Sequence, residues 1–120
     1  MHEFSIASGV VDAAVRHAGG RRVTVVTLRV GALRQVVPAT LAFAFELAAR
    51  GTPCECARLE QELVAARLLC AECTLEWTLE RPDFRCRSCD GPAVVIAGRE
   101  LELESIEVEE PWANTYFSEM

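Results

Sequence analysis

Four of the six cysteines in this 120-residue chain form two Cys-x-x-Cys pairs, which constrain the fold more than any other feature. The pairs are Cys70 with Cys73 and Cys86 with Cys89, and twelve residues separate them. Each pair forms a tight turn that directs two sulfurs to one point, so both together can enclose one tetrahedral Zn²⁺. Four thiolates fill the coordination shell and leave no position for water or substrate. The pattern therefore predicts a structural zinc site.

Other chemistry is open to the same four cysteines. Two disulfides or four free thiols are alternatives, but paired Cys-x-x-Cys turns favour a metal. Iron in a rubredoxin-like site uses the same ligand type as zinc, and the spacing is compatible with either ion.

Composition and charge restrict the class of protein. Hydrophobic residues make up 51% of the chain, enough for a packed core, and the net charge is −6. This charge argues against a nucleic-acid partner, because such surfaces need clustered Lys and Arg. Residues Met1–Phe4 lack the basic region and apolar run typical of a signal peptide, so we expect none, and no apolar run approaches the roughly 20 residues of a membrane span. We expect a cytoplasmic, reduced protein with no membrane partner.

Hydrophobic periodicity predicts two helices and three strands. Ser5 is the predicted cap of the first helix, and a bulge is predicted near Glu104 and Ser105, where the alternation of the last strand changes phase. The predicted helices cover residues 5–18 and 38–50, and the predicted strands cover residues 23–30, 59–69 and 99–110.

This order of elements predicts an α+β fold. We expect a small two-layer α/β domain, with two helices on a three-stranded sheet, and an inserted zinc-ribbon domain. Short linkers around residues 66–69 and 94–99 are expected to act as a hinge. The predicted domains are residues 1–69 and 97–110 for the α/β domain, 70–96 for the ribbon, and 111–120 for a flexible tail.

The first three residues, Met1-His2-Glu3, form a second candidate metal site. The α-amine, the deprotonated amide of His2 and its imidazole can chelate one ion through small rings, and the Glu3 amide nitrogen supplies a fourth donor. Four nitrogens in a plane favour Ni²⁺ or Cu²⁺. A helix N-terminus repels cations, but two deprotonated amides cancel the charge of the ion. The alternative is a solvated terminal histidine without a ligand role.

The remaining candidate residues do not form a catalytic group. The pair Cys54 and Cys56 is interpreted as two small apolar residues, in preference to a metal or redox pair. His17 is expected at the surface, in the last turn of the first helix. The sequence has no Gly-rich phosphate loop and no spacing typical of a Ser/His/Asp set, so we expect no enzyme and no catalytic residue.

Several segments together resemble one known family. They are Met1–Ser5, Leu41–Glu46, Gly51–Pro53 and Ser105–Glu109, in addition to the Cys-x-x-Cys pairs. In this combination the chain resembles the HypA/HybF family of nickel metallochaperones, which serve the maturation of [NiFe]-hydrogenase. The match extends over nearly the whole chain. The tail from Trp112 onward exceeds the usual length of the family.

The resemblance implies a site and partners. It implies nickel binding at His2, assisted by the amine of Met1 and the backbone nitrogens of His2 and Glu3. It implies a HypB-like GTPase partner and delivery of nickel to the large subunit of [NiFe]-hydrogenase. The zinc ligands that it implies are Cys70, Cys73, Cys86 and Cys89.

Three positions depart from the family pattern. Cys54 and Cys56 occur where relatives often carry Ala and Gly, and Val37 occurs where many relatives carry an acidic residue.

The alternative function, from a different class, is a zinc-ribbon adaptor that binds protein or nucleic acid and never handles nickel.

Overall fold

The computed structural model describes residues 2–81 and 84–109. The predicted tail, residues 111–120, and Met1 lie outside this part. The helices are α1 (His2–Ala18) and α2 (Pro38–Ala49), with a short 3-10 helix at Ala32–Arg34. The strands are β1 (Val23–Gly31), β2 (Arg58–Val64), β3 (Arg67–Cys70), β4 (Glu76–Thr78), β5 (Ala93–Ala97) and β6 (Leu101–Val108).

The strands form two three-stranded sheets, in the orders β2-β1-β6 and β4-β3-β5. The predicted α+β class, with two helices, a three-stranded sheet and a ribbon, is confirmed. Within the described residues the chain divides into two compact units. The first contains residues 2–28, 36–61 and 103–109, and the second contains residues 29–35 and 62–102. The predicted domain boundaries stay a prediction. No helix in the described ranges combines the length and the hydropathy needed to cross a membrane.

Helix α1 begins at His2, so the prediction that Ser5 caps it is wrong. The first turn continues the buried face of the helix, because Glu3 lies one turn before Ala7 and is itself buried. A charged residue on an apolar face gives no periodic signal, which is why the first turn was missed. The buried residues of this face are Glu3, Ala7, Val10, Val11, Ala14 and Ala18.

Helix α2 starts at Pro38, where the fixed φ of proline suits the first turn, and it packs against α1. Gly51, just beyond the helix, has a φ of +75°. One large apolar residue of this helix, Phe43, is 61% exposed. The residues that α2 buries are Leu41, Ala44, Phe45 and Ala49.

The single strand predicted over residues 59–69 is two strands, β2 and β3, which belong to different sheets. The break falls at Ala65 and Ala66. Ala66 is buried, and its carbonyl accepts a hydrogen bond from the Leu79 N–H at 2.8 Å. The residues predicted as hinge linkers also differ from expectation, because most of them form β3 and β5. These strands pair with each other in the ribbon sheet, with Leu68 opposite Val95.

The alternation of β6 breaks where the sequence predicts it. Glu104 and Ser105 are consecutive exposed residues, whereas Leu103 and Ile106 on either side are half-buried. This change of phase is confirmed, and the bulge proposed to cause it stays a prediction.

Gly98, between β5 and β6, occupies a position that only glycine fits. Its φ is +113°, and a Cβ there would lie 2.7 Å from the Cα of Ala66. A Cβ on Gly31 would likewise collide with the carbonyl of Gly98. The two glycines therefore permit a close approach of three backbone segments.

The Glu100 carboxylate lies beside this turn. Hydrogen bonds from the N–H groups of Glu100 and Gly98 hold the pKa of the Glu100 carboxyl below its ordinary value.

Replacing Gly98 by Ala is expected to lower the free energy of unfolding by more than about 1 kcal/mol, because it adds both the strained φ and the collision. Gly9 is the matched control, since it is exposed on α1 and a Cβ there meets nothing within 4 Å. Gly9→Ala should raise stability by about 0.5–1 kcal/mol. Urea unfolding followed by circular dichroism measures both. Wild-type stability of Gly98→Ala would contradict the argument.

Candidate functional site

The structure brings the four predicted zinc ligands together. Their Sγ atoms all lie within 4.8 Å of one another. The Cys70–Cys89 and Cys73–Cys86 sulfur pairs are each 3.5 Å apart. Zinc–sulfur bonds of about 2.3 Å in a tetrahedron place the sulfurs about 3.8 Å apart, whereas a disulfide bond is about 2.05 Å long. The geometry therefore fits a tetrahedral metal ion and not two disulfides, and the cysteines are free.

The two Cys-x-x-Cys turns have the same backbone conformation. The residue after each pair is left-handed, with a φ of 63° at Thr74 and 59° at Asp90. The N–H of Thr74 donates to the carbonyl of Cys70 at 3.2 Å, and the N–H of Asp90 donates to that of Cys86 at 2.9 Å. This shared turn directs both sulfurs of a pair to the same side. The left-handed positions are occupied by Thr74 and Asp90 and not by glycine, although this conformation costs a non-glycine residue about 1–2 kcal/mol.

Backbone N–H groups surround the first sulfur of each pair. Glu72 and Cys73 both donate to Cys70 Sγ at 3.4 Å, and Ser88 donates to Cys86 Sγ at 3.4 Å. The N–H groups of Cys73 and Glu72 lower the pKa of the Cys70 thiol to about 6. The neighbouring sulfur of Cys70 raises the pKa of the Cys89 thiol to about 12. The backbone N–H groups thus favour the thiolate form of Cys70, and a cation at the centre would displace the remaining protons.

Two cysteines of the four-sulfur cluster form part of the core of the ribbon. Cys70 and Cys86 are buried in one cluster with Leu68 and Trp77, whereas Cys73 and Cys89 are exposed. Leu79, Ala93 and Val95 pack around this cluster. So few apolar residues do not stabilise a unit of this size alone, so a bound metal would contribute to its folding.

Gly91 is required beside the cluster. A Cβ at this position would lie 3.1 Å from Cys89 Sγ and 3.4 Å from Cys70 Sγ. The first distance is shorter than an ordinary van der Waals contact, so a larger residue here would require a small shift of the Cys89 sulfur.

At the other candidate site the structure describes His2 and Glu3, and Met1 lies outside the described residues. The His2 side chain is 60% exposed, whereas that of Glu3 is 9% exposed. The Glu3 carboxylate accepts a hydrogen bond from the Val37 N–H at 3.2 Å. This bond is the main reason why the pKa of the Glu3 carboxyl is lowered. His2 Nε2 is 3.7 Å from Glu3 Oε2.

The contact between Glu3 and Val37 was missed by the sequence reasoning, which noted Val37 only as a departure from the family. One signal was available. Helix α2 has no capping side chain and no acidic residue in its first turn. Its first backbone N–H groups therefore need a hydrogen-bond acceptor from another part of the chain.

The other cysteine pair is structurally unlike the four-sulfur cluster. Cys54 is buried, and desolvation raises the pKa of its thiol. Cys56 is exposed and left-handed, with a φ of 69°. Among the described residues, neither belongs to a group of three or more potential metal ligands. This arrangement agrees with the interpretation of Cys54 as an apolar packing residue. His17 is exposed, as predicted.

Comparison with known proteins identifies the family. A family model described as "Hydrogenase/urease nickel incorporation, metallochaperone, hypA" matches residues 1–108. The chain belongs to the HypA family. The resemblance inferred from the sequence is thereby confirmed, and the family is one of nickel-incorporation metallochaperones.

Relatives from distant bacteria match along almost their whole length. The hydrogenase maturation factor HypA of Geotalea uraniireducens is 43% identical over 110 residues, which are 91% of this chain and 100% of the relative. That of Chloroflexus aurantiacus is 46% identical over 113 residues, covering 89% and 98%. That of Streptomyces avermitilis is 42% identical over 116 residues, covering 92% and 88%.

Two solved HypA structures share the fold. The solution structure of the Ni metallochaperone HypA from Helicobacter pylori has a TM-score of 0.65 at 21% identity, covering 88% of this chain and 96% of its own. A second HypA solution structure has a TM-score of 0.68 at 23% identity, covering 91% and 97%. At this level of identity the likeness supports the fold.

Cys56→Gly is expected to stabilise the protein relative to Cys56→Ala by about 1 kcal/mol, because glycine removes the left-handed strain and alanine keeps it. Both variants delete the thiol, so their difference isolates the backbone term. Thermal unfolding under reducing conditions measures it. Equal stability of the two variants would show that φ at Cys56 is not strained.

Proposed function

We propose that this HypA family member binds Ni²⁺ at its N-terminus and delivers it for the maturation of [NiFe]-hydrogenase. The observation that carries the proposal is the position of His2. Its imidazole is exposed in the first turn of α1, where a cargo ion can enter and leave. Family membership supplies the nickel cargo and the link to hydrogenase maturation.

The start of α1 also favours the proposed donor set. The first four N–H groups of an α-helix have no acceptor within the helix. Because α1 begins at His2, the amides of His2 and Glu3 belong to this group and their deprotonation breaks no helical hydrogen bond. With the amine of Met1 as a free terminus, the proposed ligands are that amine, the two amide nitrogens and the His2 imidazole. Two amidates neutralise the ion, which offsets its repulsion by the positive helix end.

We assign a structural role to the second metal. Zn²⁺ bound by Cys70, Cys73, Cys86 and Cys89 would have a full shell of sulfur and no position for a substrate. When bound, it would supply the cross-link that holds the two Cys-x-x-Cys turns together. In this proposal the protein carries nickel and catalyses no reaction.

The proposed partners follow from the same role. They are a HypB-like GTPase and the large subunit of [NiFe]-hydrogenase, in the cytoplasm. Neither nucleic acid nor a membrane is included, and the net charge of −6 supports the exclusion of nucleic acid.

His2→Ala is expected to abolish tight nickel binding, because it removes the imidazole and breaks the chelate, while the zinc content stays unchanged. Residues added before Met1 should have a similar effect, because they convert the amine into an amide. A tag added after Met120 is the control and should leave nickel affinity unchanged. Calorimetric titration with Ni²⁺ measures all of these proteins. Affinity should also fall with falling pH, because protons compete for the nitrogen ligands.

Equal nickel binding by the wild type, His2→Ala and the extended protein would place the site elsewhere. No nickel binding by the wild type with an unmodified terminus would favour the zinc-ribbon adaptor.

Cys73→Ala is expected to remove the bound zinc and unfold the ribbon, because metal-binding free energy contributes to folding in such a small unit. Cys56→Ala is the matched control, since Cys56 is also an exposed cysteine but lies outside the cluster. Elemental analysis should give one zinc per chain for the control and a loss for Cys73→Ala. Fluorescence of the buried Trp77, measured with Trp112 replaced by Phe, reports whether the ribbon unfolds. Full zinc content in Cys73→Ala would contradict the four-sulfur site.

A further inference from the structure

Glu3 is the only buried charged residue within residues 2–81 and 84–109, with 6% of its surface exposed. Carboxylates are rarely buried in proteins unless a partner compensates for the lost hydration. Alanine on this face of α1 would bury without that cost, as Ala7 does one turn later. The partners of the carboxylate therefore indicate what it contributes.

The first partner is the N-terminus of α2. Val37 is the N-cap residue of that helix, and its side chain offers no acceptor. The Glu3 carboxylate accepts the Val37 N–H at 3.2 Å and places a negative charge at the positive end of the helix. This bond fixes the carboxylate on a rigid element, although Glu3 itself lies at the start of the chain.

The second partner is the imidazole of His2. The oxygen that accepts the Val37 N–H, Oε2 of Glu3, is also 3.7 Å from His2 Nε2. One carboxylate oxygen thus faces both a fixed backbone donor and the exposed imidazole.

The chemistry of the chelate decides which imidazole nitrogen remains available. Nδ1 closes a small six-membered ring with an ion on the His2 amide nitrogen, whereas Nε2 would require a larger and strained ring. Nickel on Nδ1 leaves the proton on Nε2, the nitrogen that faces Glu3. A carboxylate that accepts this proton fixes the tautomer and the ring orientation, and it raises the basicity of the ligand.

We infer that Glu3 is a positioning residue for nickel, whose carboxylate, held by the Val37 N–H, orients the His2 imidazole without binding the ion. This inference rests on the proposed function. It gives the Glu3 side chain a role separate from that of its amide nitrogen, which is one of the four proposed donors.

Substitution of the Glu3 side chain tests the inference, because every proposed nitrogen donor remains. Glu3→Ala should weaken nickel binding by about tenfold or more, the usual effect of losing a partner that orients a metal ligand. Glu3→Gln should also weaken it, and this variant keeps an acceptor for Val37, so it guards against a failure of Glu3→Ala to fold. The visible absorption band of the nickel complex should keep its wild-type position in both variants, because the donor set is unchanged.

Val37 offers a second test with a matched control. Val37→Pro removes the N–H that holds the carboxylate, and the φ of −86° at this position is close to the value that proline needs. Val37→Ala keeps the N–H and trims only a side chain that is 52% exposed. Nickel affinity should fall in Val37→Pro and stay at the wild-type value in Val37→Ala. Zinc content and circular dichroism confirm that each variant is folded.

Three results would overturn the inference. Nickel affinity within about twofold of the wild type in Glu3→Ala or Glu3→Gln, even with a lower unfolding temperature, would reduce Glu3 to a helix cap. A shifted absorption band in Glu3→Ala would make the carboxylate a ligand. Equal affinities of Val37→Pro and Val37→Ala would remove the role of the N–H. His2→Ala distinguishes a failure of this inference from a failure of the proposed function. If the proposed function is correct, the wild type binds nickel and His2→Ala does not, whatever the Glu3 and Val37 variants show.

Discussion

The four-sulfur cluster is the interaction on which the ribbon depends. The buried cluster of this unit contains Leu68, Trp77, Cys70 and Cys86, so two of the four cysteines that could hold a metal ion are also core residues. Two turns that each end in a left-handed residue bring them together, and backbone N–H groups donate hydrogen bonds to the first sulfur of each turn. With zinc bound as proposed, folding and metal binding would be coupled in this part of the chain.

Much of this arrangement could be predicted from the sequence because it depends on local spacing. Cys-x-x-Cys fixes the geometry of each turn, and β-branched runs or helical periodicity identify α1, α2 and β1. The change of phase in β6 was also visible in the sequence, at Glu104 and Ser105. In each case the signal lies within a few residues of the structure that it determines.

The errors have the opposite character, because they depend on residues distant in the chain. The strand predicted over residues 59–69 divides at Ala66. The backbone of Gly98 lies so close to Ala66 that no larger residue fits at position 98. Periodicity does not reveal the first turn of α1 because Glu3 is charged, and partners such as the N–H of Val37 compensate for its burial. The proposed nickel site shows the same division: its nitrogen donors are consecutive residues, whereas the group inferred to orient them is fixed by α2.

The four cysteines of the cluster differ in burial. Each turn contributes one buried cysteine, Cys70 or Cys86, and one exposed cysteine, Cys73 or Cys89. Oxidants and competing chelators reach exposed thiolates first, so chemical attack would begin at one member of each turn. The enclosed pair would then hold the ion by only two bonds. The fold would thus set the order in which a bound metal centre is lost, and the lifetime of that centre in an oxidising medium would depend on two exposed residues.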